Sequence, residues 1–255
     1  MSELSRIKPL EEVLGPRSYL FYGPFGSGKT NLAIKHPGRK IVIDADSKLK
    51  EDPNISRADI DVWEPGEMLG DPAGILIPWS PDPSNVAKGT FPSREPQGYR
   101  RIVQVTNELI ALSYKNELPY DVAICDSLTR VSDHWIRLLM YTHKVTYITE
   151  RLWGIYLAGM VDYISGFLQL RCTRIVIAHD KHRTNEATGL DMIRPAIAGE
   201  TGNNLGQYFS EVYYFLGRQR DGVYKIQTVK DSTAAARTTK KLDPEEIIDP
   251  IKIFA

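Results

Sequence analysis

Cysteine is scarce in this chain: of 255 residues, only Cys125 and Cys172 carry a thiol. Both sit in or beside apolar runs, and neither has a second Cys or a His at ligand spacing. A disulfide framework or a structural metal site is therefore not expected, and a reducing compartment is. Net charge is lacking too, with 32 basic against 32 acidic side chains. The molecule as a whole is not an electrostatic nucleic-acid binder, so any contact to a polyanion must come from a local basic surface. No uncharged apolar run approaches the length of a membrane span, and the opening residues MSELSRIKPLEEVLG contain no apolar signal-peptide core. A cytoplasmic protein without a membrane partner is expected.

What is present is the composition of an ordinary globular domain, 42% hydrophobic and 25% charged. Residues 1–17 form a polar lead-in. Ser18 to Tyr22 and Lys40 to Asp44 are compact apolar runs that predict buried strands, separated by a short helix over Asn31 to Lys35 that Pro37 and Gly38 stop. From Asp52 to Gly98 the chain is proline-rich and has no sustained period. Its apolar residues, among them Trp63, Ile75, Leu76, Ile77 and Trp79, predict an irregular insertion packed on the domain, with room for a small hairpin. A helix follows over Arg100 to Asn116, with Ile102, Val105, Leu109 and Leu112 on one face. Tyr120 to Cys125 predicts a strand, Ser132 to Tyr141 and Leu152 to Leu170 helices, and Thr173 to Ala178 another strand. Asp180 to Thr201 has no clear period and is expected to be a long loop. Glu211 to Leu216 and Val223 to Val229 predict a hairpin turning at Gly222. The alternation implies an α/β fold: a mostly parallel sheet flanked by helices, with antiparallel C-terminal edge strands.

The strongest signal is the run Gly23, Pro24, Phe25, Gly26, Ser27, Gly28, Lys29, Thr30, which fits G-x-x-x-x-G-K-[ST] in full. Its glycines let backbone N–H groups turn inward around phosphates, the following helix adds its N-terminal dipole, Lys29 reaches the β- and γ-phosphates, and the Thr30 hydroxyl ligates Mg²⁺. ATP with Mg²⁺ is the expected ligand. Asp126 ends an apolar strand, where such a fold needs a carboxylate to hold Mg²⁺. Asp44 and Asp46 end another; one of them could polarise an attacking water as general base, or both could be turn or cap carboxylates. His179 follows a third strand and either senses a γ-phosphate or caps the strand. Lys181, His182, Arg183 and Arg194 lie beyond it as candidate DNA-binding residues.

The order GPFGSGKT, IVIDAD, VAICDS, RIVIAHDKHR, AGETGNNLGQYFSEVYYF and YKIQTVKDSTAAART resembles the RecA-type recombinase core over Ser18 to Arg237. It looks most like the short, core-only RecA-like ATPases of bacteriophages, some of which act in single-strand annealing or recombination. The resemblance implies a fold with ATP between subunits of an oligomer. It places the catalytic base on Asp46, an Asp where the family has Glu, and the Mg²⁺-binding carboxylate on Asp126. It puts the γ-phosphate sensor on His179, where the family has Gln. DNA-binding loops would fall at Tyr141 to Arg151 and Asp180 to Thr201, with Tyr141, Tyr147 and Trp153 near the first. Lys230 matches the first of two lysines that reach a neighbour's ATP; Ser232 stands at the second, and Arg237 is a candidate to compensate. The family's N-terminal polymerisation segment is nearly absent, and the proline-rich insertion has no counterpart. The location implied is the cytoplasm of an infected host. The partners implied are single-stranded DNA, further copies of the chain, and a phage single-strand-binding or replication protein.

Three functions are compatible with these residues: a DNA-dependent ATPase of recombination or annealing, an ATPase that loads or regulates a helicase or other replication protein, and a small-molecule kinase. The second would use the insertion with Trp63 and Trp79 as its partner surface. The third would use Asp180 to Thr201 as a lid.

Overall fold

A computed structural model of the chain describes residues 16–49, 59–66, 95–184, 191–199, 201–220 and 222–254. Among the described residues, nine strands form one sheet. The strands are β1 (Ser18–Gly23), β2 (Lys40–Asp44), β3 (Ile60–Trp63), β4 (Val122–Asp126), β5 (Thr173–Thr184), β6 (Asp191–Pro195), β7 (Glu211–Arg218), β8 (Tyr224–Gln227) and β9 (Glu245–Ile247). The helices are α1 (Lys29–Ile34), α2 (Gly98–Tyr114), α3 (Leu128–His143), α4 (Glu150–Phe167), α5 (Thr201–Asn204) and α6 (Pro250–Phe254), with a 3-10 turn at Leu205–Tyr208.

The spatial order is β3-β2-β4-β5-β1-β7-β8-β9, with β6 paired to β5. Along the path from β3 to β7 the neighbours pair in parallel, whereas β6 on β5 and the edge strands β8 and β9 are antiparallel. The α/β architecture with antiparallel C-terminal strands is thus the one the sequence predicts. Alternation along β1 divides the interior in two. Leu20 and Tyr22 face a cluster with α2, α3 and α4, while Tyr19 and Phe21 face a second with α1 and the chain end.

Three elements differ from expectation. The proline-rich stretch contains β3, which pairs in parallel with β2 from Lys40↔Ile60 to Ile43↔Trp63. It escaped the pattern because three of its four residues are half-buried, Val62 is exposed, and one of the four is an aspartate. Trp63 packs against the core; Ile75, Leu76, Ile77 and Trp79 lie outside the described residues. The expected loop from Asp180 is largely an antiparallel hairpin, with Asp180↔Pro195 through Thr184↔Asp191 in register. Its β5 half, Asp180 to Thr184, is polar on both faces, and only Met192 and Ile193 precede Pro195 as apolar residues in β6, so no hydrophobic alternation announces it. The buried face of α2 runs through Ile102, Thr106, Leu109 and Ser113, with Thr106 bonding back to the Ile102 carbonyl at 2.8 Å. Val105 and Leu112 stand at its half-buried edge.

Beyond Arg237 the chain returns to the sheet. β9 pairs with β8, Ile253 is fully buried, and Phe254 packs on Tyr19 and His36 at ring distances of 5.6 and 4.5 Å. Ile253→Ala should therefore lower the unfolding free energy by about 2–5 kcal/mol. Urea denaturation would show this as a lower midpoint at unchanged slope.

Candidate nucleotide-binding site

The parallel order places the carboxyl ends of β1, β4, β5 and β2 along one edge, and every strongly predicted residue sits there. Gly23 closes β1 against β7, and a Cβ at this position would lie 2.6 Å from the Phe215 carbonyl oxygen, so the loop needs glycine to leave the strand. Gly26 and Gly28 have φ of 72° and 91°. Gly28 is the N-cap of α1, whose six residues make the helix dipole a small contribution beside the loop's own N–H groups. Phe25 projects from the loop, 83% exposed, with the Lys48 ammonium 5.8 Å above its ring.

Lys29 is buried and folds over the loop, donating to the Gly23 and Pro24 carbonyls at 2.8 and 2.7 Å and to Ser27 Oγ at 3.2 Å. Burial pulls its ammonium down to about 8, against the attraction of Asp126, Asp180 and Asp46. A phosphate anion would supply the charge that these carbonyl dipoles supply only in part. Thr30 Oγ1 donates to Asp126 Oδ2 at 2.6 Å. Asp126 is buried, and desolvation pushes its carboxyl up to about 6. The Thr30 bond and Lys29 oppose that rise, while Asp46 and Asp44 reinforce it. A buried carboxylate beside a threonine hydroxyl, destabilised as an anion by two further aspartates, is a hard-oxygen pair that fits Mg²⁺.

The two aspartates after β2 have separate roles. Asp44 accepts from the backbone N–H groups of Asp46 and Leu49 at 3.2 and 2.8 Å, so it is the turn carboxylate. Asp46 faces the groove, with Oδ1 accepting from Arg130 Nε at 2.7 Å and Oδ2 3.8 Å from His179 Nε2. Burial alone would raise the Asp46 carboxyl, but His179 and Arg130 outweigh it and hold the group below the usual carboxylate range. At 3.8 Å the His179 contact is too long for a hydrogen bond. His179 itself is set by its backbone N–H, which donates to Thr129 Oγ1 at 3.0 Å.

A groove of about 840 Å³ joins the phosphate loop, Asp44, Asp46, Asp126 and His179 to Val223, Tyr224, Ile247 and Ile248. These last four were missed in the sequence. They come from β8, β9 and the turns beside them, and only chain closure brings their apolar surface beside Gly28, where a nucleobase can lie. Lys230 is exposed after β8 and does not line the groove. Arg237 donates to the carbonyls of Gly206 (3.4 Å) and Phe209, which ties it to its own chain.

The hairpin beyond His179 sorts its basic residues by face. Lys181, Arg183 and Arg194 share one face, because Lys181 and Arg183 are two apart and Arg194 stands opposite Lys181. Burial lowers the Lys181 ammonium first, and the neighbouring Arg183 and Arg194 lower it further. His182 lies on the other face, 3.3 Å from Asp180 Oδ2. Tyr147 is exposed near the first expected loop, whereas Trp153 packs edge-on against Tyr156 at 5.4 Å.

A phosphate cradle, a threonine–aspartate pair and acidic strand ends on the carboxyl edge of a mostly parallel sheet define a P-loop nucleotide-binding domain of the ATPase type. Residues 15–240 match the family model described as AAA domain, and the chain belongs to that family. No curated protein matches it. Among the described residues, no helix is long and apolar enough to cross a membrane.

Two measurements check this site. Saturating Mg²⁺–ATP at a hundred times its Kd should raise Tm by about 5–10 °C. Lys29→Ala should remove that rise while remaining folded in nucleotide-free buffer. The second concerns His134, buried in α3 so tightly that a Cβ on Gly98 would lie 2.2 Å from its Nδ1. Desolvation drives its imidazole from 6.5 to about 4, against the pull of the Ala45 carbonyl. The unfolded chain therefore binds a proton that the folded chain refuses, and this contribution is intact above pH 6.5 and lost as pH falls towards 4. It amounts to roughly 3 kcal/mol. His134→Gln should flatten the stability profile over that window relative to the native protein, measured by urea unfolding at each pH.

Proposed function

We propose that the protein hydrolyses ATP with Mg²⁺ and couples turnover to single-stranded DNA, as an oligomeric RecA-like ATPase of bacteriophage type in recombination or annealing. One observation carries the reading. The hairpin bearing Lys181, Arg183 and Arg194 on one face is the direct continuation of β5, whose end holds His179 at the nucleotide groove. A strand that touches both ligands is a short mechanical path between them, and three cations on one face suit a phosphate backbone.

In this reading Lys29 leaves the loop carbonyls for the β- and γ-phosphates, and Thr30 and Asp126 hold Mg²⁺. When bound, the metal neutralises charge on the phosphate oxygens. Asp46 orients a water towards the γ-phosphorus. The bond from that phosphorus to the bridging oxygen breaks as the water oxygen adds, and the water's proton passes to Asp46. His179 stands beside Asp46 and donates to the γ-phosphate. Lys230 serves a neighbouring subunit rather than its own groove, which accords with its exposure.

The alternative, an ATPase that loads or regulates a replication protein, draws support from an open apolar groove of about 490 Å³. Tyr99, Val103, Trp135, Leu138 and Ile155 contribute to it. A small-molecule kinase is less well served, since its lid would have to be the β5–β6 hairpin.

ATP turnover measured with and without single-stranded DNA across a salt series separates the two. Stimulation that declines steeply with salt is expected. Arg183→Ala with Arg194→Ala should lessen the slope of log affinity against log salt by about one per phosphate contact removed. Turnover indifferent to DNA, together with ATP-dependent retention of a helicase or single-strand-binding protein, would favour the loader.

A further inference from the structure

The carboxylate that faces the groove is not held by the phosphate loop or by its own strand. Among the described residues its closest side-chain partner comes from α3, a helix that sequence motifs leave without a role. Ser127 starts this helix, its Oγ accepting from the Arg130 N–H at 3.4 Å, and the first two turns then present Thr129, Arg130, Asp133 and His134. Arg130 sits between two acids: Nε donates to Asp46 Oδ1 at 2.7 Å and Nη1 to Asp133 Oδ2 at 3.0 Å. Asp133 lies one turn further along the same helix, so the second bond fixes the guanidinium against α3. The other side of the site is tied to the same turn, through the Thr129 hydroxyl and the His179 backbone.

We infer that Arg130 is a positioning residue: braced by Asp133, it fixes Asp46 Oδ1 so that Oδ2 is presented to the attacking water beside His179. The inference rests on the reading of Asp46 as the group that orients this water. Three features favour a brace over a casual surface pair. Asp46 is only 11% exposed at its side chain, so the carboxylate end of the pair is shielded from water while Arg130, at 37%, lies at the rim. The guanidinium uses two separate nitrogens on two carboxylates, a fixed fork that an ammonium reproduces only in part. The loop carrying Asp46 is anchored on both sides, since the Ala45 N–H donates to the Asp126 carbonyl at 2.7 Å and Asp44 caps the turn. With the backbone set by these bonds, the remaining freedom of Asp46 is its side-chain torsion, which Arg130 removes.

Steady-state ATP hydrolysis and binding of a fluorescent ATP analogue test the inference on Arg130→Gln, Arg130→Lys, Asp133→Asn, the Arg130→Gln/Asp133→Asn double variant and Asp46→Asn. Arg130→Gln is expected to lower kcat about 10- to 100-fold, the scale of a misplaced reacting group, with analogue Kd within about twofold of the native protein. Arg130→Lys should recover part of the loss. Asp133→Asn should lose less than Arg130→Gln, and the double variant should be no slower than Arg130→Gln alone, because Asp133 acts only through Arg130. Should Arg130→Gln not fold, the same split between kcat and Kd is read on Arg130→Lys and Asp133→Asn. Native kcat in Arg130→Gln, or a Kd that weakens in step with kcat without recovery by Lys, overturns the brace. An inactive Asp46→Asn beside a fully active Arg130→Gln overturns the brace alone, whereas a fully active Asp46→Asn overturns the reading of Asp46 and the brace with it.

Discussion

The hydrogen bond from Thr30 Oγ1 to Asp126 Oδ2 joins residues 96 positions apart, and the nucleotide groove is organised around it. It forms because β5 lies between β1 and β4 and pairs in parallel with both, bringing Gly23 level with His179 and Asp126 level with Ile177. β2 joins β4 with Asp44 beside Asp126, which carries the turn bearing Asp46 to the same edge. Four neighbouring parallel strands therefore bring a phosphate loop, a threonine–aspartate pair and a groove-lining carboxylate to one edge.

Burial sets the electrostatics of this edge. Asp126 is destabilised as an anion by burial and by its acidic neighbours, and Lys29 is destabilised as a cation by burial. Each imbalance would be eased by a group of opposite charge placed beside it. Asp46 is the exception: Arg130 and His179 already compensate it, and the compensation comes from α3 and β5 rather than from the loop.

Legibility from sequence followed burial. β1, β2, β4 and the first part of β5 are continuous apolar runs because both faces of a central parallel strand are covered. Elements with a polar or half-exposed face, such as β3 and the β5–β6 hairpin, carried no such pattern. The phosphate loop was legible because its chemistry needs contiguous glycines and a lysine at one spacing. The apolar wall of Tyr224, Ile247 and Ile248 was not, because its residues are unremarkable in their own segments.

By itself the sequence determined the local chemistry: which loop can turn its N–H groups inward, which strands end in carboxylates, and that the strands alternate with helices. These follow from interactions within a few residues. The tertiary structure decided the division of labour among those groups. Asp44 and Asp46 are alike in the chain, yet one is tied to its own turn and the other pairs with Arg130 from α3. Lys181, His182 and Arg183 form one basic run, yet the hairpin's pleat sends His182 to the opposite face. Arg130 is an ordinary helical arginine until β2 and α3 are packed together. Roles of this kind depend on which distant surfaces meet, and strand order sets that.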